Sequence, residues 1–191
     1  MTRFAFIWFF AIAMCGCISV DKYPDKWGAA VAGTRSDICP KLSGVYENIG
    51  ETADGQRAWL ASRLSGITGR DKELQLQMRY QFWKDLSAAK VVQIHVADNQ
   101  TLAIKVTGEG IEHEWTVPKT RVECKTNAIT IHGDAVISGD NAVAVGTDSM
   151  DLYRSGNQLI LNQSGGGVGV LLLVPVVGYS NHWSRFSLIE E

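Results

Sequence analysis

The sequence lacks the short motifs that identify most hydrolases, nucleotide-binding proteins and zinc proteases. It contains no Gly-x-Ser-x-Gly elbow and no phosphate-binding GxxxxGK. The glycine-rich run at 165–170 has Val170 where the third glycine of a dinucleotide-binding GxGxxG would stand. His113 and Glu114 begin like a zinc-protease helix, but Val117 occupies the place of the second histidine. The sequence therefore indicates no motif-defined catalytic site, no metal site and no cofactor.

Positive charge and long apolar runs are scarce as well. Lys and Arg number 18 against 20 Asp and Glu, which gives a formal net charge of -2. Nucleic-acid-binding proteins need a basic surface, so we expect no nucleic-acid partner. The apolar runs at 4–14 and 168–177 are both shorter than the roughly 20 residues that a membrane-spanning helix requires.

The first 17 residues carry the clearest positive signal. A short basic start is followed by the apolar run at 4–14 and then by Cys15-Gly16-Cys17. This order is typical of a cleaved export signal. Residues 14–17 resemble the lipobox of bacterial lipoproteins, which implies that residues 1–16 are a signal peptide and that Cys17 is lipidated, because Gly16 is the small residue before the cleavage site. An ordinary secretory signal and an uncleaved anchor are the alternatives.

The resemblance to lipoproteins also implies a location. In that family the cysteine carries a diacylglyceryl thioether and an amide-linked acyl chain such as palmitate, so the expected partner is a membrane. Several acyl chains on one residue anchor a domain stably, whereas one chain binds only marginally. Ile18, not aspartate, follows Cys17. In enterobacterial lipoproteins an aspartate there retains the protein at the inner membrane, so its absence implies the outer membrane, facing the periplasm.

Four cysteines are present, and this scheme leaves two of them for the folded domain. Cys15 is lost with the signal and Cys17 is lipidated, so Cys39 and Cys124 remain. Thiols in an oxidising envelope compartment commonly form disulfides, and we expect one between these two residues. The alternative is a metal site shared with some of the histidines His95, His113, His132 and His182.

The resemblance to lipoproteins, together with the composition, implies three parts: the signal peptide at 1–16, a lipidated flexible tether at 17–38 and a single domain at 39–191. The tether is expected because this segment has no sustained periodicity. The start of the domain, Cys39 to Tyr46, resembles a CPxLSGxY pattern in small bacterial lipoproteins. That resemblance implies no activity.

Alternation of apolar and polar residues dominates the chain from residue 91 onward. A turn at 98–100 joins two alternating runs, which predicts a β-hairpin, and further short alternating runs follow. The predicted fold is mainly β, an antiparallel meander that closes as a barrel or a sandwich, with one or two short helices and an N-terminal tether.

Two segments leave their structure open. Residues 74–82 alternate with period two, which favours a strand, although Leu74, Met78, Phe82 and Leu86 also lie four apart as in a helix. The run at 168–177 predicts a strand buried on both faces and then a turn at 175–178. Its alternative is an exposed apolar lip that enters a membrane or receives a partner.

His113 is the most informative single residue, because it lies beside Trp115 on the apolar face of a predicted strand. Together they are candidates to line a pocket. We expect a membrane-anchored envelope lipoprotein that acts by binding or structural attachment, to an envelope protein or an apolar ligand. The alternatives are an envelope hydrolase whose site contains His113 and scattered carboxylates, and a lipocalin-like carrier. A carrier pocket would be lined by tryptophans, namely Trp27, Trp59, Trp83, Trp115 and Trp183.

Overall fold

The computed structural model describes residues 17–28, 33–69, 76–98, 100–133, 136–139, 142–171 and 174–191. Two α-helices occur in this part of the chain, α1 (Leu60–Thr68) and α2 (Leu76–Ala88). The strands are β1 (Cys17–Val20), β2 (Gly44–Glu47), β3 (Ile49–Thr52), β4 (Arg57–Trp59), β5 (Val91–Val96), β6 (Leu102–Gly108), β7 (Ile111–Val117), β8 (Val122–Cys124), β9 (Ala128–Gly133), β10 (Val136–Gly139), β11 (Ala142–Ser155), β12 (Gln158–Leu171) and β13 (Val174–Glu190).

The strands form one extended sheet in the order β7-β6-β5-β2-β13-β12-β11-β9-β8. Successive strands along this path pair antiparallel, and β1 adds a short parallel pairing to β13. Within the described chain, β7 and β8 stay at opposite ends of the order, so the sheet is open. The prediction of a mainly β, antiparallel fold with two short helices is confirmed, and closure into a barrel does not occur.

The last three strands are much longer than the others, because two long hairpins replace the short strands expected from the sequence. β11 pairs with β12 from 142 to 155, and β12 pairs with β13 from 158 to 171. Their outer halves extend past the strand β9, whose pairing with β11 stops at Asp148. We call residues 142–149, 164–171 and 174–181, with β1 and β10 at their edges, the arm.

Two apolar clusters lie on opposite faces of the long strands. The main core contains Leu152 and Leu161 from one face together with α1, α2 and the inward side chains of β5, β6 and β7. The second core lies on the other face and is smaller. Its buried members are Trp27, Ala128, Tyr153, Ile160 and Trp183.

Residues 76–88 form the helix α2, so the prediction of a strand at 74–82 is wrong for the described residues. Phe82 and Leu86 are buried in the main core, and the Phe82 ring lies 6.4 Å from the Trp115 ring, centroid to centroid. Phe82 and Leu86 are four positions apart and therefore lie on one face of the helix. This face packs on the main core, where Phe82 contacts Trp115 of β7, and this packing favours the helix over the strand. Leu74 lies outside the described residues.

Part of the predicted tether at 17–38 is packed on the sheet. β1 pairs with β13, Trp27 is 3% exposed, and Arg35 bridges to Lys125. The Tyr23 ring lies 4.6 Å from the Trp183 ring. These aromatic side chains remove a large apolar area from water, which outweighs the lack of periodicity in this segment.

Cys39 and Cys124 form the predicted pair: their sulfurs lie at disulfide distance, and their Cα atoms are 4.8 Å apart. The bond joins the segment before β2 to the end of β8, across 85 positions of sequence.

Candidate functional site

The predicted lipidation site lies at the start of β1 on the edge of the arm. Cys17 stands opposite Gly178 in the parallel pairing of β1 with β13, and Ile18 stands opposite Tyr179. The first described residues of the chain therefore lie beside β13.

One face of the arm is apolar and exposed. Directly paired residues of neighbouring strands project to the same side of a sheet. Val145, Val168 and Val177 are paired in one such row, and each is more than half exposed. We call the following set the apolar arm face: Ile18, Val20, Val145, Val168, Val170, Val177 and Tyr179.

The sequence shows the alternation that produces this face, although the valines were expected to be buried. In β12, Val168 and Val170 alternate with Gly167 and Gly169, so side chains project on one side only. On the glycine side, a Cβ at Gly146 would lie 2.1 Å from the Gly166 carbonyl oxygen. The backbones of β11 and β12 approach closely there, and only glycine fits.

The structure corrects the prediction for 168–177. Val168 and Val177 are exposed, so these strands are not buried on both faces. The turn predicted at 175–178 does not form, because Pro175 and Gly178 both pair with β12 as part of β13. The alternative, an exposed apolar segment, agrees with the structure.

A groove of about 280 Å³ lies between α1, β4 and α2, on the other face of the long strands. Trp59 and Trp83 are half-buried in its walls, and Arg63 lines it as well. The residues lining it are Arg57, Ala58, Trp59, Ser62, Arg63, Gly66, Trp83 and Gln163.

Arg63 is the cation best placed to contact a ligand in this groove. Its Nη1 donates to the Gln163 side-chain oxygen at 3.3 Å, which is a long hydrogen bond. Burial lowers the pKa of Arg63, and the negative charge of Asp21 partly opposes that shift. Asp21 also lies 3.1 Å from His182 Nδ1. No pattern in the sequence points to Arg63, because only the fold brings it to Trp59, Trp83 and Gln163.

A second groove, of about 410 Å³, lies beside the disulfide and the C-terminal end of β13. Its principal charged groups, Arg154 and Glu191, form an ion pair with each other. The charge on Arg154 is thus already compensated by a direct ion pair within this groove.

His113 and Trp115 lie together on one face of β7, as expected, and the Phe82 ring contacts both. His113 Nε2 is 3.0 Å from Asp85 Oδ2 on α2, and Trp115 is buried. Neither residue lines the two grooves described above. The pair joins the helix α2 to the edge of the sheet.

The tryptophans do not surround one pocket. Trp27 and Trp183 belong to the second core, whereas Trp115 belongs to the main core. Trp59 and Trp83 line the groove at Arg63. Among the described residues, these five tryptophans therefore do not line one common pocket.

Among the residues that the structure describes, no three of the His, Cys, Asp and Glu side chains come together as metal ligands would. No helix there has the length and hydropathy needed to span a membrane. No protein-family model matches the chain, and no curated protein or solved structure matches it significantly.

Proposed function

We propose that the protein is a lipoprotein of the bacterial cell envelope, anchored through Cys17, that acts by binding an envelope component rather than by catalysis. The observation that carries the anchor is the sequence at 1–17, with an apolar run that leads to Gly16-Cys17. The position of Cys17 supports it, because β1 is an edge strand beside an apolar, exposed surface. Ile18 after the cysteine favours the outer membrane, with the domain in the periplasm.

The groove at Arg63 is the proposed binding site. Tryptophan rings stack on the apolar faces of sugars, and a guanidinium binds carboxylates with two parallel hydrogen bonds. Trp59, Trp83 and Arg63 offer both kinds of contact within one groove. We therefore propose an acidic saccharide as the ligand, such as a glycan that carries carboxylates.

The anchor is tested by Cys17→Ser, with Cys15→Ser as the matched control two positions away. Cys17→Ser removes the acyl acceptor, so the intact mass should lose the acyl groups and keep the leader. Cys15→Ser should leave the lipidated mass and flotation with membranes unchanged, because Cys15 is removed with the signal. A wild-type protein that still begins at Met1 without acyl groups would overturn the proposal.

The binding site is tested by Arg63→Gln in a co-sedimentation assay with insoluble, carboxylate-bearing cell-wall glycan. We expect affinity to fall about tenfold, because a hydrogen bond to a charged group contributes roughly 1.5–3 kcal/mol. Lys105→Gln is the control, since Lys105 pairs with Glu112 on the β6–β7 edge, away from the groove. Equal loss in both variants would indicate non-specific charge attraction. Release of soluble glycan fragments by the wild type would instead support a hydrolase.

A further inference from the structure

The apolar arm face is an unusual surface for an exposed part of a sheet. Ile18 is 77% exposed and Val168 is 61% exposed. The arm strands carry no Asp, Glu, Lys or Arg at 17–20, 142–147, 164–171 or 174–181. Exposed strands usually carry charges that prevent association, and exposed apolar patches mark interaction sites. This face therefore has the properties of a surface that is covered in its working state.

On the inner part of the long strands, other residues of the protein already cover this side of the sheet. Tyr23 and Trp27 pack there against Tyr153 and Trp183, which lie on the same side of the long strands as Val145, Val168 and Val177. The Arg185 guanidinium lies 5.0 Å from the Trp27 ring. Among the described residues, this cover ends before the valine row, so the outer half of the face remains open.

The position of Cys17 indicates what covers the open half of the apolar arm face. Cys17 stands opposite Gly178, the residue after Val177, and neighbouring strands lie only about 5 Å apart. Ile18, the next residue, belongs to the apolar arm face. Acyl chains on Cys17 would therefore be attached at the edge of this face, and the bilayer that receives them would lie close to the valine row.

We propose that the apolar arm face rests on the lipid bilayer and orients the anchored domain there. This inference rests on the proposed lipidation of Cys17. Binding one surface of a domain that is already anchored costs little additional translational entropy. The apolar arm face itself carries no charged side chain to desolvate when the valines enter the boundary between headgroups and acyl chains, because Asp148 projects to the opposite side of the arm, beside Gly133 and Gly165.

The test compares two positions on β13 in the full-length, acylated protein reconstituted into vesicles. Val177→Cys and Ile189→Cys each introduce one reactive thiol, at side chains that are 56% and 54% exposed. The two sites are 12 positions apart on one strand, a distance of about 40 Å. Each thiol is labelled with a polarity-sensitive dye. We expect a blue shift and quenching by nitroxide-labelled acyl chains at residue 177, and free access of iodide at residue 189.

A second variant confirms that the arm face causes the protection. Val168→Asp, placed in the labelled Val177→Cys protein, adds a charge in the row beside the label. The label should then lose its blue shift and become accessible to iodide, while the protein still floats with the vesicles. Protection that survives Val168→Asp would contradict the proposal.

The remaining outcomes separate this inference from the proposed anchor. Floating protein with residue 177 as accessible as residue 189 would refute membrane contact and leave the anchor intact. Protection from iodide without quenching by labelled lipids would assign the face to a protein partner or a second copy. Protein that carries no acyl chain and does not float would overturn both proposals together.

Discussion

The side-chain oxygen of Asn48 accepts a hydrogen bond from the backbone N–H of Ala61 at 2.9 Å. The same side chain donates to the carbonyl oxygens of Leu86 and Ala89, at 2.7 and 2.9 Å. The Asn48 side chain is fully buried between β2 and β3. It therefore provides hydrogen-bond partners for backbone groups at the start of α1 and at the end of α2. Both helices, and with them the groove at Arg63, depend on this contact.

Asn48→Ala should destabilise the protein strongly. The substitution leaves three buried backbone groups without partners, so we expect the free energy of unfolding to fall by about 3 kcal/mol. Urea unfolding followed by circular dichroism measures this value. Asn157→Ala is the control, because Asn157 is exposed in the turn between β11 and β12. A change of less than about 1 kcal/mol in Asn48→Ala would contradict the structural role given to Asn48.

Removing the disulfide should also destabilise the fold, chiefly because the unfolded chain gains conformational entropy. The bond closes a loop with a sequence separation of 85, for which the chain-entropy estimate is about 4.5 kcal/mol. Cys39→Ser, Cys124→Ser and the double variant should lose the same amount of stability. Non-reducing electrophoresis should show a thiol-sensitive shift in the wild type that is absent in all three. Two free thiols at these positions in the native protein would refute the bond.

Two glycine substitutions should have opposite effects. A Cβ at Gly50 would lie 2.0 Å from the Arg185 carbonyl oxygen and 2.5 Å from the Phe186 ring, so Gly50→Ala should destabilise by about 2 kcal/mol. Gly66 lies in α1, and apart from its chain neighbours and the helix's own backbone no atom lies within 4 Å of such a Cβ. Gly66→Ala should therefore stabilise by about 0.5–1 kcal/mol, because alanine loses less entropy in a helix. Thermal unfolding of both variants checks the two signs, and a neutral Gly50→Ala would contradict the close approach of β3 to β13.

Alkaline pH should weaken the fold through Tyr46. Burial raises the pKa of Tyr46 to about 12, with a smaller opposing effect of the Arg154 charge, and its hydroxyl donates to the Leu42 carbonyl oxygen at 2.7 Å. The unfolded state ionises near 10.0, so stability is complete below pH 10 and declines by about 1.4 kcal/mol per pH unit from pH 10 to about pH 12.

Tyr46→Phe should reduce this decline, because phenylalanine does not ionise. At neutral pH the same variant should lose about 1 kcal/mol for the missing hydrogen bond. The exposed Tyr80 provides the control: Tyr80→Phe should keep the alkaline slope of the wild type. An unchanged slope in Tyr46→Phe would show that other groups control the alkaline transition.

Local patterns were sufficient for most of the sheet. The alternation at 91–106 predicted β5 and β6 and their antiparallel pairing, since a side-chain period of two fixes which face is buried. The disulfide could be predicted because the lipoprotein scheme leaves only two cysteines in the domain. Alternation predicted the wrong structure at 76–82, where the glutamines and apolar residues fit both the period of two of a strand and the spacing of four of a helix. The surface that α2 covers on β7 decided in favour of the helix.

The sequence by itself determined the β class, the cysteine pair and a leader that resembles a lipoprotein signal, because each depends on residues close together in the chain or on a count. Only the tertiary structure decided that residues 17–28 pack on the sheet, that Arg63 meets Trp59 and Trp83, and that the valines of three strands form one exposed face. These outcomes depend on which strands lie side by side. That pairing is set by the total apolar area removed from water, which no single stretch of sequence records.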